Sequence, residues 1–122
     1  LVEVEWDGSG VIRRLSGLVT IEDLDVSAAR IQGDERIDRL RYAIHDFSAA
    51  IDIDVLDDDI EFMAMRAVVA LERNAVIRIA FVGDHPVIHK LIEVFNRFGR
   101  GRVPCRRFDS MGAARCFATL DF

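Results

Sequence analysis

At the start of the chain Val2, Val4 and Trp6 alternate with Glu3, Glu5 and Asp7, a period of two that predicts a half-buried strand. Asp7-Gly8-Ser9-Gly10 has turn chemistry, and residues 11–16 resume the extended pattern, so the chain opens with a β-hairpin that Gly17 ends. Thr20 stands where an N-cap is expected, with Glu22 and Asp23 in a first turn whose dipole favours negative charge. Ile21, Leu24, Ala28 and Ile31 follow at helical spacing, and Gly33 stops that helix. Leu40, Tyr42 and Ile44 alternate with Arg41, Ala43 and His45 in a third strand that ends near Asp46.

Residues 47–56 read as a connection. Asp57, Asp58 and Asp59 then lead a long helix in which Ile60, Ala64, Val68 and Leu71 form one stripe. Phe62, Met65 and Val69 widen the stripe, so the helix is expected to be well buried; Arg73 and Asn74 mark its end. Residues 76–82 are almost continuously apolar, broken only by Arg78, as in strands covered on both faces. Gly83-Asp84-His85-Pro86 turns into a helix that carries Ile88, Leu91, Ile92, Phe95 and Phe98 toward the core and stops at Gly99. Residues 103–108 form a short strand in which Pro104 suits an edge or a first position. Asp109 or Ser110 caps a last helix bearing Ala113, Ala114, Phe117 and Leu120. The order ββαβαβαβα predicts an α/β protein, one domain over residues 1–122, with a mixed five-stranded sheet and helices packed on it.

Composition supports a folded core, with 51% apolar and 30% charged residues in 122. The longest stretch free of Asp, Glu, Lys and Arg is seven residues, 15–21, so no membrane span is predicted. A net charge of −5 argues against a general nucleic-acid binder. That figure hides an asymmetry: residues 1–61 carry −10 and residues 62–122 carry +5. The extremes are an acidic run with Asp52, Asp54, Asp57, Asp58, Asp59 and Glu61, and a basic run with Arg97, Arg100, Arg102, Arg106 and Arg107. Opposite runs on one chain predict a protein partner, a second copy of the chain included; Asp54, Asp57, Asp58 and Asp59 and Arg100, Arg102, Arg106 and Arg107 are the candidate contact residues.

Signals for catalysis are weak. No GxSxG elbow and no GxxxxGK[ST] loop occurs. His85 and His89 lie four apart on a helix, but Pro86 stands where a metalloprotease helix needs Glu. A calcium loop begun at Asp52 fails at Leu56, Asp57 and Met63, and the three aspartates are better read as cap and dipole partners of the helix they open. Cys105 and Cys116 lack CxxC spacing and read as buried thiols of a reducing compartment, with a cytoplasmic location as the default. Neither catalytic residues nor a metal or cofactor site is assigned.

The element order, with a strand ending in Asp46-Phe47-Ser48, resembles the STAS domain of anti-sigma factor antagonists, and more closely the SpoIIAA-like group of small bacterial proteins, also called STAS/SEC14-like. Gly17-Leu18-Val19-Thr20-Ile21-Glu22-Asp23, Ile79-Ala80-Phe81-Val82-Gly83-Asp84, Arg107-Phe108-Asp109 and Ala113-Ala114-Arg115 carry the likeness, which spans nearly the whole chain. It implies a non-catalytic regulatory or interaction module. In the phosphoregulated antagonists a serine in an Asp-Ser-Ser-Gly pattern is phosphorylated. Here Asp54-Val55-Leu56-Asp57 occupies that place without a hydroxyl, so the serine switch is not expected and the acidic residues keep the surface negative. The SEC14 side implies another class, a carrier of a lipid or other small apolar ligand in a pocket beside the sheet, for which Phe62, Met63, Met65, Phe95 and Phe98 are the candidate lining. An enzyme is the third reading, since fold does not exclude function.

Overall fold

The computed structural model describes residues 1–120. Strand β1 (Val2–Asp7) pairs antiparallel with β2 (Gly10–Thr20), and β3 (Tyr42–Asp54), β4 (Arg78–Val82) and β5 (Cys105–Phe108) join it in parallel, in that spatial order. Helices α1 (Ile21–Gln32), α2 (Asp57–Ala70) and α3 (Pro86–Gly99) are the crossovers between successive parallel strands, and α4 (Met111–Ala118) follows β5. The strands add in one direction, so crossovers of one hand put α1, α2 and α3 on the same face. There Val11, Leu15, Ala43, Phe47, Ile79 and Phe81 meet Leu24, Ala64 and Leu91 in the larger core. The alternate residues Ile12, Ile44, Ala80 and Val82 turn to the other face and pack under Ala114 and Ala118 of α4. Cover on both faces accounts for the apolar run of β4 after Arg78, residues 79–82.

Local chemistry starts the helices where the sequence places them. Asp23 N–H donates to Thr20 Oγ1 (3.2 Å) and Thr20 N–H donates to Asp23 Oδ2 (3.0 Å), a reciprocal cap that begins α1. Ser110, rather than Asp109, accepts from Ala113 N–H to begin α4. The Arg78 guanidinium, inside β4, donates to the carbonyls of Phe117 and Leu120 and so holds the far end of α4 against the sheet.

Four expectations are corrected. The second strand does not stop at Gly17 but runs to Thr20, and the third does not stop near Asp46 but continues to Asp54. Two bulges explain this: between Arg14 and Ser16, and between Gly17 and Leu18, β3 carries one residue more than β2. At the first, the Asp46 carboxylate accepts from Ser48 N–H and Oγ–H; at the second, Gly17 sits at φ +67°, a conformation cheap only for glycine. Each bulge breaks the period of two, which is why residues 47–54 do not look like a strand.

The second correction concerns α2, which is buried along Ile60, Ala64 and Val68 only; Phe62, Met65 and Val69 are exposed. The helix lies against the sheet between α1 and α3, and nothing among the described residues covers its outer side. Phe98 on α3 is likewise exposed, whereas Phe95 is buried. In α4 only Ala114 and Ala118 are buried, so Ala113 faces outward, and Leu120 lies beyond the helix end and is exposed. Lastly, α2 ends at Ala70, and Asn74 beyond it is buried, donating to the carbonyls of Ile37 and Leu40 and accepting from Val76 and Ile77 N–H. It fastens an unforeseen 3-10 turn (Glu35–Arg39) to the entry of β4.

Candidate functional site

The acidic run lies where β3 leaves the sheet and α2 begins. Asp54 ends β3, Leu56 is the N-cap of α2, and Asp59 Oδ2 accepts from Leu56 N–H at 3.2 Å. That bond uses one carboxylate of the four. Asp54, Asp57 and Asp58 are exposed, and among the described residues none of them forms an ion pair. Asp58, Phe62, Met65 and Val69 recur at helical spacing on the uncovered side of α2, so the negative charge runs into an apolar stripe.

The basic run does not form one patch. Arg97 pairs with Glu61 of the acidic run at 2.6 Å, an internal match between the two runs. Arg100 and Arg102 lie in the connection into β5, at the end of the sheet opposite to the one where Asp54 leaves β3. Arg106 and Arg107 are neighbours on β5 and so point to opposite faces. Arg106 reaches the Phe117 ring, with its guanidinium carbon 5.6 Å from the centroid. Arg107 donates to Asp109 (2.7 Å) and to the Gly83 carbonyl (3.1 Å). His89 is bound to Asp84 at 2.8 Å, and among the described residues no group of three or more His, Cys, Asp or Glu is placed to hold a metal.

A polar constellation that the sequence reading missed lies inside the larger core. Arg13 on β2 and His45 on β3 are register partners, and His45 is in turn the partner of Phe81 on β4, ring centroids 5.2 Å apart. Arg13 Nε–H donates to His45 Nδ1 (3.1 Å), and Nη1–H donates to Ser27 Oγ (3.0 Å) and to the Leu24 carbonyl (3.3 Å). All three acceptors are neutral. Burial pulls the Arg13 pKa down to about 10, which still leaves a cation at neutral pH. Burial first, and the Arg13 charge second, push the His45 pKa well below the usual histidine range. The bond from Arg13 occupies Nδ1, so the ring proton sits on Nε2. The visible signal was Arg13 itself, a charge in phase with Val11 and Leu15 on the apolar face of its strand.

Arg13 and His45 line a cavity of about 90 Å³ between the sheet and α1, α2 and α3. Leu24 and Ala28 of α1, Met63 and Ala67 of α2 and Phe95 of α3 complete much of the wall. Of the five residues expected in an apolar pocket Met63 and Phe95 are there; Phe62, Met65 and Phe98 are on the surface.

The thiols differ. Cys105 is buried with its pKa pushed up to about 12 by desolvation, whereas Cys116 is exposed, which corrects the expectation of two buried thiols. An aromatic disulfide reagent is therefore expected to label one thiol per native chain, Cys116, and two after denaturation; two fast equivalents in the native state would contradict the structure.

A five-stranded mixed sheet with three crossover helices on one face and a fourth on the other makes this an α/β protein of the SpoIIAA/STAS fold. The anti-sigma factor antagonist SpoIIAA in its unphosphorylated form superposes with a TM-score of 0.66 at 16% identity, over 94% of either chain. The phosphorylated form of the Bacillus cell fate determinant SpoIIAA gives 0.64 at 15%, over 96% of this chain and 99% of that one. An uncharacterized protein of the DUF3478 family with a SpoIIAA-like fold, from Shewanella loihica PV-4, gives 0.59 at 13%, over 97% and 92%. No family model and no curated protein sequence matches the chain. The likeness is one of fold. Among the described residues no helix is long and apolar enough to cross a membrane.

Proposed function

We propose that residues 1–122 act as one non-catalytic, STAS-like interaction module, and that its docking surface is the acidic and apolar face where β3 runs into α2. The observation that carries this reading is the stripe of Asp58, Phe62, Met65 and Val69 on α2 beside the unpaired carboxylates of Asp54 and Asp57. Exposed aromatic and aliphatic side chains rimmed by charge are the anatomy of a protein interface. Its charge selects a partner that presents a basic rim around an apolar centre. The fold lends support, since SpoIIAA is described as an anti-sigma factor antagonist, a protein that acts on another protein. SpoIIAA is known in phosphorylated and unphosphorylated forms; the resemblance to the phosphoregulated antagonists puts Val55 and Leu56, which carry no hydroxyl, at the place of their serine pattern, so on this reading carboxylates alone supply the negative charge of the surface.

Affinity capture with the immobilised chain, quantified by mass spectrometry, tests the reading. Phe62→Ser with Met65→Ser is expected to reduce recovery of specific partners roughly tenfold or more while the circular dichroism spectrum is retained. Asp57→Asn with Asp58→Asn is expected to weaken the same partners and flatten their salt dependence. Unchanged recovery with both pairs would overturn the assignment. Sedimentation of the purified chain at low and high salt identifies the case in which the partner is a second copy.

A further inference from the structure

We propose that the cavity beneath α1, α2 and α3 is a binding site for a short-chain monocarboxylate, with the carboxylate held by Arg13 and the alkyl end among Leu24, Ala28, Met63 and Phe95. This site is separate from the α2 surface and does not depend on it.

The first observation is the missing counter-charge. Arg13 is 8% exposed, and among the described residues no carboxylate forms an ion pair with it. Among the described residues no Asp or Glu lines the cavity either. A guanidinium in an apolar interior that is answered only by a hydroxyl, a carbonyl and an imidazole lacks the anion that ordinarily accompanies buried charge. Nothing about the packing of β2 demands arginine there, since Val11 and Leu15 fill equivalent positions with apolar side chains.

The second observation is the pair of donors left over. Arg13 Nη2 and His45 Nε2 make no hydrogen bond among the described residues, yet no buried side-chain nitrogen or oxygen is left without a partner. Both atoms therefore keep accessible surface, and both belong to residues that line the cavity. Because Nδ1 is an acceptor, Nε2 carries the proton and donates. The Arg13 Nη2–H group supplies a charged donor for a carboxylate oxygen, while His45 Nε2–H lies on the ring edge away from the one that Arg13 occupies.

Size and charge then choose the class. An apolar cavity of about 150 Å³ takes up benzene, so about 90 Å³, with part of the ligand in the mouth, suits a molecule of about four to six heavy atoms. A lipid tail does not fit. One cation balances one negative charge, and a dianion such as a phosphate monoester would leave its second charge among Leu24, Phe81 and Phe95.

Sodium butyrate, with butyramide as the neutral isostere and sodium chloride as the ionic-strength control, tests this by NMR on the wild-type chain. The expected result is a saturable shift of the Arg13 guanidinium and His45 ring signals and of the Leu24 and Ala28 methyls. Butyrate should bind roughly tenfold or more tightly than butyramide, the value of a charged hydrogen-bonded contact. Arg13→Met, which keeps the length of the side chain and removes the charge, should abolish that preference; if it does not fold, the comparison of the two ligands on the wild-type chain decides alone. Equal affinity for butyrate and butyramide, no saturable shift at tens of millimolar, or shifts confined to the surface around Arg100 and Arg102 would each overturn the proposal.

Discussion

Replacing Phe47 by alanine is expected to lower the unfolding free energy by about 3–5 kcal/mol and the melting temperature by roughly 10 °C or more. Phe47 is 0% exposed and sits at the first bulge of β3, its ring 6.3 Å from that of Phe81 and its Cβ close to the backbone of Gly83. Truncation there removes a whole ring from the larger core, and the bulged backbone cannot close over the gap without losing the Asp46–Ser48 hydrogen bonds. Phe62→Ala is the matched control. That ring is 54% exposed on α2, and its loss is expected to change stability by no more than about 0.5 kcal/mol. Urea denaturation of the two variants side by side is decisive: equal losses would mean that α2 is buried on both sides, or that the strand stops at Asp46.

The second large effect is on pH. His45 is neutral in the folded protein because burial and the adjacent Arg13 cation both disfavour a second proton. In the unfolded chain the same ring takes up a proton below about pH 6.5, so there the unfolded state binds more protons than the folded one. Stability from this residue is complete above about pH 6.5 and falls as the pH drops, with a slope approaching about 1.4 kcal/mol per pH unit. The lowered carboxylates Asp7, Asp23, Asp34 and Asp84 are protonated in the unfolded chain only around pH 4 and below, which leaves the window between about pH 5 and 6.5 to His45. Denaturant titrations in a buffer free of carboxylates should show this slope in the wild type and a flatter one in His45→Gln. Identical slopes would mean that His45 accepts its proton in the folded state.

Much of this follows from local pattern. The hairpin, the Thr20 and Ser110 caps, the apolar run of β4 and the order of elements depend on residues within a turn or a strand of one another, so the chain displays them directly. The Asp54-to-Asp59 segment is legible for the same reason, because a helix start is a local event. Three of the expected pocket residues lie on the surface for an equally physical cause. Phe62, Met65 and Phe98 are as apolar as any core residue, and burial depends on whether a neighbouring element covers that side of the helix, which no window of sequence contains.

By itself, then, the sequence determined the class of fold, the ends of the helices and the −10 and +5 halves of a chain whose net charge is −5. Tertiary structure decided how those charges are used. It split the arginines between two faces and two ends of the sheet, tied Arg97 to Glu61, and left Asp54, Asp57 and Asp58 without an ion pair among the described residues. It also continued β3 through two bulges and set Arg13 beside His45 in the wall of a cavity. The physical reason is register. A period of two reports which face a residue takes, but its neighbour across the sheet is 32 positions away, and only the pairing of β2 with β3 brings those two side chains together.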